Sequence, residues 1–393
     1  MHGPLARTPE EWTEAIQKLG GRAFQGKNVF RWIMAKNVMS PEDMSDLPQP
    51  LRQKLAEEGL APVLTVTHER VSTDRTKKLL VTTRDGATVE TVLIPGVTGK
   101  RRIDGAEVLD ADATAADDDD DDDDAEPRLA RADDRATKMR VTQCISTQVG
   151  CAMGCVFCAS GVAGLKRHLG ADEIVAQVLL GRARLAPDER LSNVVYMGMG
   201  EPLNNYDATA RSLRLLTHKD GIGLSNRRVT VSTSGLIPEI KRLGEDFQGN
   251  IGLAVSLHAA DDETRTRLMP INKKYPIAAL MRALREYPLP PRRRITIEYT
   301  LVRGKNDLPA EAKKLCVVLA GLPVKINLIP MNPIEHSTLG PPDESGVLAF
   351  QRVLTDAGYS CFVRRRRGDD VAAACGQLAL LGAKPKVRVN RDA

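Results

Sequence analysis

From Met139 onward, strand-like and helix-like patterns alternate with little between them, and this alternation limits the fold more than any other feature of the chain. "RVTQCIS" reads as a first strand, and the helical stretch "ADEIVAQVLLGRARL" follows it. "NVVYMGMGEP" reads as a second strand, followed by a helix through "ATARSLRLL". "RRVTVSTSG", "NIGLAVSLHA", "RRITIEYTLVRG" and "VKINLIPMNP" supply four more, and a last extended piece, "YSCFVRRRRG", leads into "DDVAAACGQLA". Repeated βα units bury a parallel sheet beneath helices on its outer face. Six such strands predict an α/β fold, a partial (βα)6 TIM-like barrel left open on one side for a large substrate. Polar and Gly-rich motifs fall where the strands end: "CAMGCVFC", "GMGEP", "STSG", "SLHA" and "IPMNP". The C-terminal strand ends form the active face of such a barrel, so these motifs converge on one pocket.

Upstream, residues 1 to about 60 read as amphipathic helices ("PEEWTEAIQKLG", "GKNVFRWIMAKNV", "LPQPLRQKLAEEG"). "LTVTHERV", "KKLLVTTR" and "TVETVLIP" alternate as short strands of a hairpin sheet. The organisation expected is a small helical N-terminal accessory domain with short strands over 1–95, an acidic insertion over 96–138, the barrel over 139–384 and a tail over 385–393. Between Asp104 and Glu126 there are 13 acidic residues and no Lys or Arg, including eight consecutive Asp. Such a segment repels itself and buries nothing, so it reads as solvated and disordered. The rest of the chain then carries 38 acidic against 56 basic residues, a balance that suits a polyanionic partner such as nucleic acid, or simply a soluble basic surface. The N-terminus lacks an apolar signal-peptide core and no run approaches a membrane span, so the expected location is the cytoplasm, away from any membrane.

Seven cysteines, three of them at C-x3-C-x2-C spacing (Cys151, Cys155, Cys158), fit a reducing compartment with metal or catalytic thiols better than a disulfide framework. A structural zinc site needs four ligands, commonly in two pairs, and no second C-x2-C or H-x3-H follows. A cubane iron–sulfur cluster also takes four thiolates, and with three it keeps one open iron for a substrate or cofactor. Spacing alone leaves both open; the barrel pattern behind it favours the open cluster.

C-x3-C-x2-C after the first strand of a βα barrel resembles the radical S-adenosylmethionine superfamily. "CISTQVGC", "GMGEP", "RRVTVSTSG", "SLHA", "PINKKY", "KINLIPMNP" and "RGDDVAAACGQLA" together resemble the RlmN family, adenine C2-methyltransferases of ribosomal and transfer RNA. "FRWI" and "LPQPLRQKL" extend the resemblance through the N-terminal helices, leaving out only the acidic insertion. It implies that Cys151, Cys155 and Cys158 hold a [4Fe–4S] cluster whose unique iron takes the amino and carboxylate groups of S-adenosylmethionine. It further implies cofactor contacts at Gly200, Glu201, Ser232, Ser256, Leu257, His258 and Asn332.

The implied chemistry uses two S-adenosylmethionine molecules per turnover. One methylates a protein cysteine, matched here by Cys375; the other is cleaved reductively to a 5′-deoxyadenosyl radical that takes hydrogen from the S-methyl group. The methylene radical adds to C2, a base matched by Glu90 removes the C2 proton, and a disulfide with Cys144 releases the product. The acidic insertion, a departure from the family pattern, falls between Glu90 and Cys144. Cys316 and Cys361 match no family motif and read as core residues. Implied partners are 23S ribosomal RNA and transfer RNA, and an electron donor such as flavodoxin; the chain is expected to be a monomer. RNA would meet the basic clusters Arg292 to Arg294, Arg364 to Arg367, "NRRV" and "INKKY". The related C8-methylating family shares the cysteine plan, and only motif wording favours C2. A zinc-stabilised RNA-binding module without catalysis is the reading from another class, which leaves Cys375 and the barrel motifs unexplained.

Overall fold

Ile295–Leu301, "ITIEYTL", is buried at every position, as only a strand covered on both faces can be. In chain order the strands are β1 (Leu64–Val71), β2 (Lys77–Thr83), β3 (Thr88–Pro95), β4 (Arg101–Ile103), β5 (Ala106–Val108), β6 (Met139–Cys144), β7 (Gln148–Val149), β8 (Arg167–His168), β9 (Glu189–Tyr196), β10 (Val229–Thr233), β11 (Gly252–Ser256), β12 (Ile295–Leu301), β13 (Val324–Pro330) and β14 (Ser360–Val363). The computed structural model describes residues 3–60, 63–96, 138–334, 337–364 and 366–378, and the backbone of 101–103 and 106–108. Ten strands form one sheet in the order β1-β2-β3-β6-β9-β10-β11-β12-β13-β14. From β6 to β14 every neighbouring pair is parallel. Helices Ala171–Arg182, Tyr206–Thr217, Ile237–Phe247, Ile277–Arg285, Pro309–Val318 and Glu344–Asp356 alternate with these strands.

Two features go beyond the six-strand reading. The extended piece "YSCFV" pairs with β13 and makes a seventh parallel strand. At the other edge, β3 pairs antiparallel with β6, so the hairpin strands continue the barrel sheet instead of forming a separate one. Local pattern reveals a strand but not its partner, and here the partner is supplied by distant contacts. The acidic run lies outside the described residues. Within the segment read as patternless, β4 and β5 pair antiparallel; the Asp104-Gly105 dipeptide between them in the sequence is a hairpin signal that the charge count obscured.

The N-terminal helices begin at Thr8, whose side chain accepts from Glu11 N while Glu11 returns the bond to Thr8 N. Trp12, Ile16, Val29, Phe30 and Ile33 are fully buried between helices Pro9–Lys18 and Ala23–Phe30 and the turn Arg31–Ala35. Arg182 at the end of the first barrel helix donates to Met34 O and Ala35 O at 2.6 and 2.8 Å, and Arg211 Nε donates to Ala6 O at 2.7 Å. These bonds fasten the helices to the barrel's outer layer.

Gly26 permits the two N-terminal helices to touch, because a side chain there would run into the backbone of Thr13. Gly26→Val should cost about 1–3 kcal/mol through overpacking, read as a lower denaturant midpoint. An unchanged midpoint would mean that the helix pair has room to spare.

Candidate active site

After β6 the chain turns through Ile145–Gln148 into the cysteine loop, whose far end is the short helix Ala159–Ala163. Phe157 and Val162 join Leu268, Met269 and Met331 in a small apolar cluster of their own, and Val156 N donates to Leu268 O at 3.1 Å. The loop is thereby held over the strand ends, with Cys151 buried and Cys155 and Cys158 half-buried. Burial pushes the Cys151 thiol up to about 12. It also raises Cys155, reinforced by the other two cysteines and Glu201, and it raises Cys158 despite backbone bonds from Gly161 and Ser160. Three thiols crowded and desolvated in this way become thiolates only when strong positive charge arrives, as a metal cluster brings it.

The loop roofs a cavity of about 160 Å³ at the C-terminal strand ends. From the end of β9 come Gly200 and Glu201. Gly200 has φ +105°, and a Cβ there would lie 2.6 Å from Gln148 Cβ, so only glycine passes. Glu201 is buried, accepting from Leu203 N at 3.1 Å and Ser234 N at 2.7 Å. Burial raises its carboxyl, against the lowering effect of the Ser234 bonds. It thereby ties the end of β9 to that of β10 while lining the cavity. Ser232 and Ser256, from β10 and β11, line the wall, as does Asn332 after β13. Asn332 Oδ1 is buried and accepts no hydrogen bond from the described residues, an unused acceptor at the edge of the chamber. The donor set and this orphan acceptor fit a cluster with a polar ligand beside it.

His258 lies at φ +56°, its Nδ1 accepting from Thr300 N at 2.9 Å and its ring set edge-on to Phe157. The proton therefore sits on Nε2. Burial first, then the Arg265 charge, lower its pKa to about 3, so the ring is a neutral donor and not a proton shuttle. Leu257, grouped with the contacts from sequence, instead packs wholly into the core and lies outside the cavity lining; its N–H donates to Glu298 O. Sequence reading missed Arg265. It has no exposed surface and donates to Ser234 O, Leu257 O, Asn272 Oδ1 and, more weakly, Ser256 O and Tyr275 O. The only signal in "DETRTRLM" is that Arg265, Leu268 and Met269 share a helical face, while Arg267 faces solvent beside Glu263.

Cys375 lines the same cavity and also a second, smaller one of about 30 Å³. Cys144, at the end of β6, lines the second only, together with Ile94, Arg364, Arg366 and Arg367. Cys375 O accepts from Asn332 Nδ2 at 2.9 Å, and Gly376 O accepts from Ala159 N at 2.8 Å. Glu90 borders neither cavity, but it is buried on the face of β3 that also carries Val92 and Ile94. Cys361 is buried and Cys316 half-buried against the main core. Of the basic clusters, Arg364, Arg366, Arg367, Lys273 and Lys274 lie at the mouth. Arg227 and Arg228 precede β10 and Arg292 to Arg294 precede β12, at the opposite end of the parallel strands.

The Radical SAM superfamily profile matches residues 145–315, and the Ribosomal RNA large subunit methyltransferase N-terminal domain profile matches residues 5–60. The chain is 67% identical over 386 residues to the dual-specificity RNA methyltransferase RlmN of Sorangium cellulosum, covering 98% of this chain and 97% of that protein. It is 41% identical to the enzyme of the same name from Syntrophobacter fumaroxidans, over 94% of each. Among solved structures it is similar to a radical SAM methyltransferase from Sphaerobacter thermophilus, with TM-score 0.81 and 38% identity, over 96% of this chain and 99% of that one.

Two outcomes are expected. Cys151→Ala, Cys155→Ala or Cys158→Ala should lose iron, sulfide and visible absorption after anaerobic reconstitution; a variant retaining a full cluster refutes that ligand. For His258 the sign is set by its depressed pKa. Above about pH 6.5 the ring is neutral folded and unfolded, and below that the unfolded chain alone binds the proton. Stability should therefore fall with pH from 6.5 toward 3 more steeply in the native protein than in His258→Gln, by up to about 1.4 kcal/mol per pH unit. Denaturant midpoints across that range that run parallel would contradict the buried neutral ring.

Proposed function

The chain belongs to the RlmN family of dual-specificity RNA methyltransferases, and on that premise we propose that it methylates C2 of adenine in 23S ribosomal RNA and transfer RNA through Cys375. It is a radical SAM RNA methyltransferase, and membership implies S-adenosylmethionine and a [4Fe–4S] cluster. C2 lies between two ring nitrogens and is electron-poor, so it cannot attack a methyl sulfonium as a nucleophile. When bound at Cys151, Cys155 and Cys158, the cluster with two S-adenosylmethionine molecules per turnover supplies the methyl group and the hydrogen-abstracting power.

The chain's own residues do the rest, and one observation carries the reading: Cys375 stands on the boundary between two chambers, one walled by the cysteine loop, the other by Cys144. In the first chamber Cys375 can be loaded, since it lines that chamber together with Cys151, Cys155 and Cys158. Gly200, Glu201, Ser232, Ser256, His258 and Asn332 position the cofactor, with His258 Nε2–H as a fixed donor, while Leu257 backs the wall. Glu90 takes the C2 proton from the sheet face it shares with Ile94. The adduct's unpaired electron would first pass to the oxidised cluster; Cys144 then attacks the Cys375 sulfur, the S–S bond forms, the S–CH2 bond breaks, and its pair stays on the carbon, which takes up a proton to become methyl.

Arg364, Arg366 and Arg367, which line the second chamber, suit RNA phosphates, and a target base must leave its stack to reach Cys375. A one-electron donor such as flavodoxin, a monomeric state and a cytoplasmic location complete the proposal. Among the described residues no helix is long and apolar enough to cross a membrane.

The two thiols divide the labour, and that is testable. Cys144→Ala should form the covalent adduct but fail to release it, giving a nuclease-sensitive shifted band on a denaturing gel. Cys375→Ala should be equally inactive with no shift. A shift in Cys375→Ala, or in neither, overturns the assignment of roles.

A further inference from the structure

Val92 on β3 pairs with Lys78 on one side and Cys144 on the other, so Lys78, Val92 and Cys144 form one row across three strands. Residues directly paired across strands point to the same face, and so do residues two apart on one strand. Lys78, Glu90 and Cys144 therefore share the face on which Cys144 and Ile94 border the second chamber. Lys78 Nζ lies 3.0 Å from Glu90 Oε1, with only 12% and 11% of the two side chains exposed. The same ammonium donates to Ala372 O at 3.1 Å, three residues before Cys375. Around it the C-terminal segment is fastened to the β1–β2 turn: Ser72 Oγ donates to Asp370 Oδ1 at 2.5 Å, and Gly368 N donates to Asp74 Oδ2 at 3.1 Å.

An ion pair this enclosed adds little net stability, because desolvation of both charges offsets their attraction; an apolar pair would fold as well. Its presence beside the two working thiols calls for a chemical use. We propose that Lys78 is a positioning residue for proton removal, holding the ionised Glu90 carboxylate on the chamber face and linking its neutralisation to the segment that carries Cys375. The inference rests on Glu90 being the proton acceptor. In that step, with the adduct's unpaired electron passed on to the oxidised cluster, the C2–H bond breaks, its electron pair stays in the nucleobase, and the proton joins a Glu90 oxygen. Lys78 then faces a neutral carboxyl, and its charge is left to the Ala372 carbonyl on the Cys375 segment.

The test uses full-length protein purified from cells and the adduct as readout. Lys78→Met keeps the length and packing without the charge; Lys78→Gln also keeps a donor for the Ala372 carbonyl; Lys78→Arg restores the charge. Cluster absorption is matched across all variants, and Glu90→Gln is run in parallel. Loss of a positioned base should lower turnover by about 10²-fold in Lys78→Met and Lys78→Gln, with a nuclease-sensitive shifted band in both. Lys78→Arg should recover most of the turnover and show no band. If Glu90→Gln accumulates adduct but Lys78→Met and Lys78→Gln are inactive without it, Lys78 acts as a structural anchor and the inference fails. Full turnover in Lys78→Met would sink it as well. If Glu90→Gln gives no adduct, the reading of Glu90 itself is wrong.

Discussion

A guanidinium with no exposed surface holds the mouth of this barrel together. Arg265 reaches back from its short helix to the carbonyls that β10 and β11 leave unpaired at their ends, Ser234 O, Ser256 O and Leu257 O. Parallel strands that stop at a pocket leave such acceptors facing inward, where water cannot reach them, and each orphan costs about 1–3 kcal/mol. One planar donor set satisfies several at once, and Asn272 Oδ1 holds it in plane. The charge so installed eases ionisation of the Cys155 thiol, and it helps keep His258 neutral. Strand-end geometry and the neutral state of a wall residue thus depend on a single side chain.

The barrel and its motifs were legible because they are local. Apolar runs of β-formers followed by Gly, Ser and Asn fix both a strand and where it stops, so Gly200, Ser232, Ser256 and Asn332 could be placed at strand ends from sequence. The chemistry needed more. Zinc and an open cluster were not separable by spacing, and Glu90 and Cys144 entered through resemblance. What stayed hidden is what only tertiary pairing creates. "KKLLVTT" gives no hint that Lys78 is enclosed, because the groups that enclose it come from β3 and from a segment almost three hundred residues later. Arg265 and Arg267 are two residues apart with the same chemistry, and only packing makes one a buried hub and the other a solvent-facing partner of Glu263.

The basic residues show the same limit. As sequence, "NRRV", "PRRR", "INKKY" and "RRRR" look equivalent. Strand polarity separates them into two sets, one around the entrance and one at the far end of the sheet. A nucleotide whose base enters the chamber can be gripped through its phosphates only by the first set; the second meets more distant parts of a large RNA or plain solvent.

The segment that presents Cys375 is stitched to a turn formed near the beginning of the chain, by Ser72 to Asp370 and Asp74 to Gly368. Contacts that span so much sequence form late, since most of the chain must be in place before they can close. During synthesis the cysteine loop is complete long before this seam exists. Yet the loop's own supports come late as well: Met331 packs against it, and Gly376 O accepts from Ala159 N, so the cysteine loop takes its final shape only with the C-terminal segment in place. Carrier thiol, second chamber and loop support are thus completed by the same late contact between distant parts of the chain.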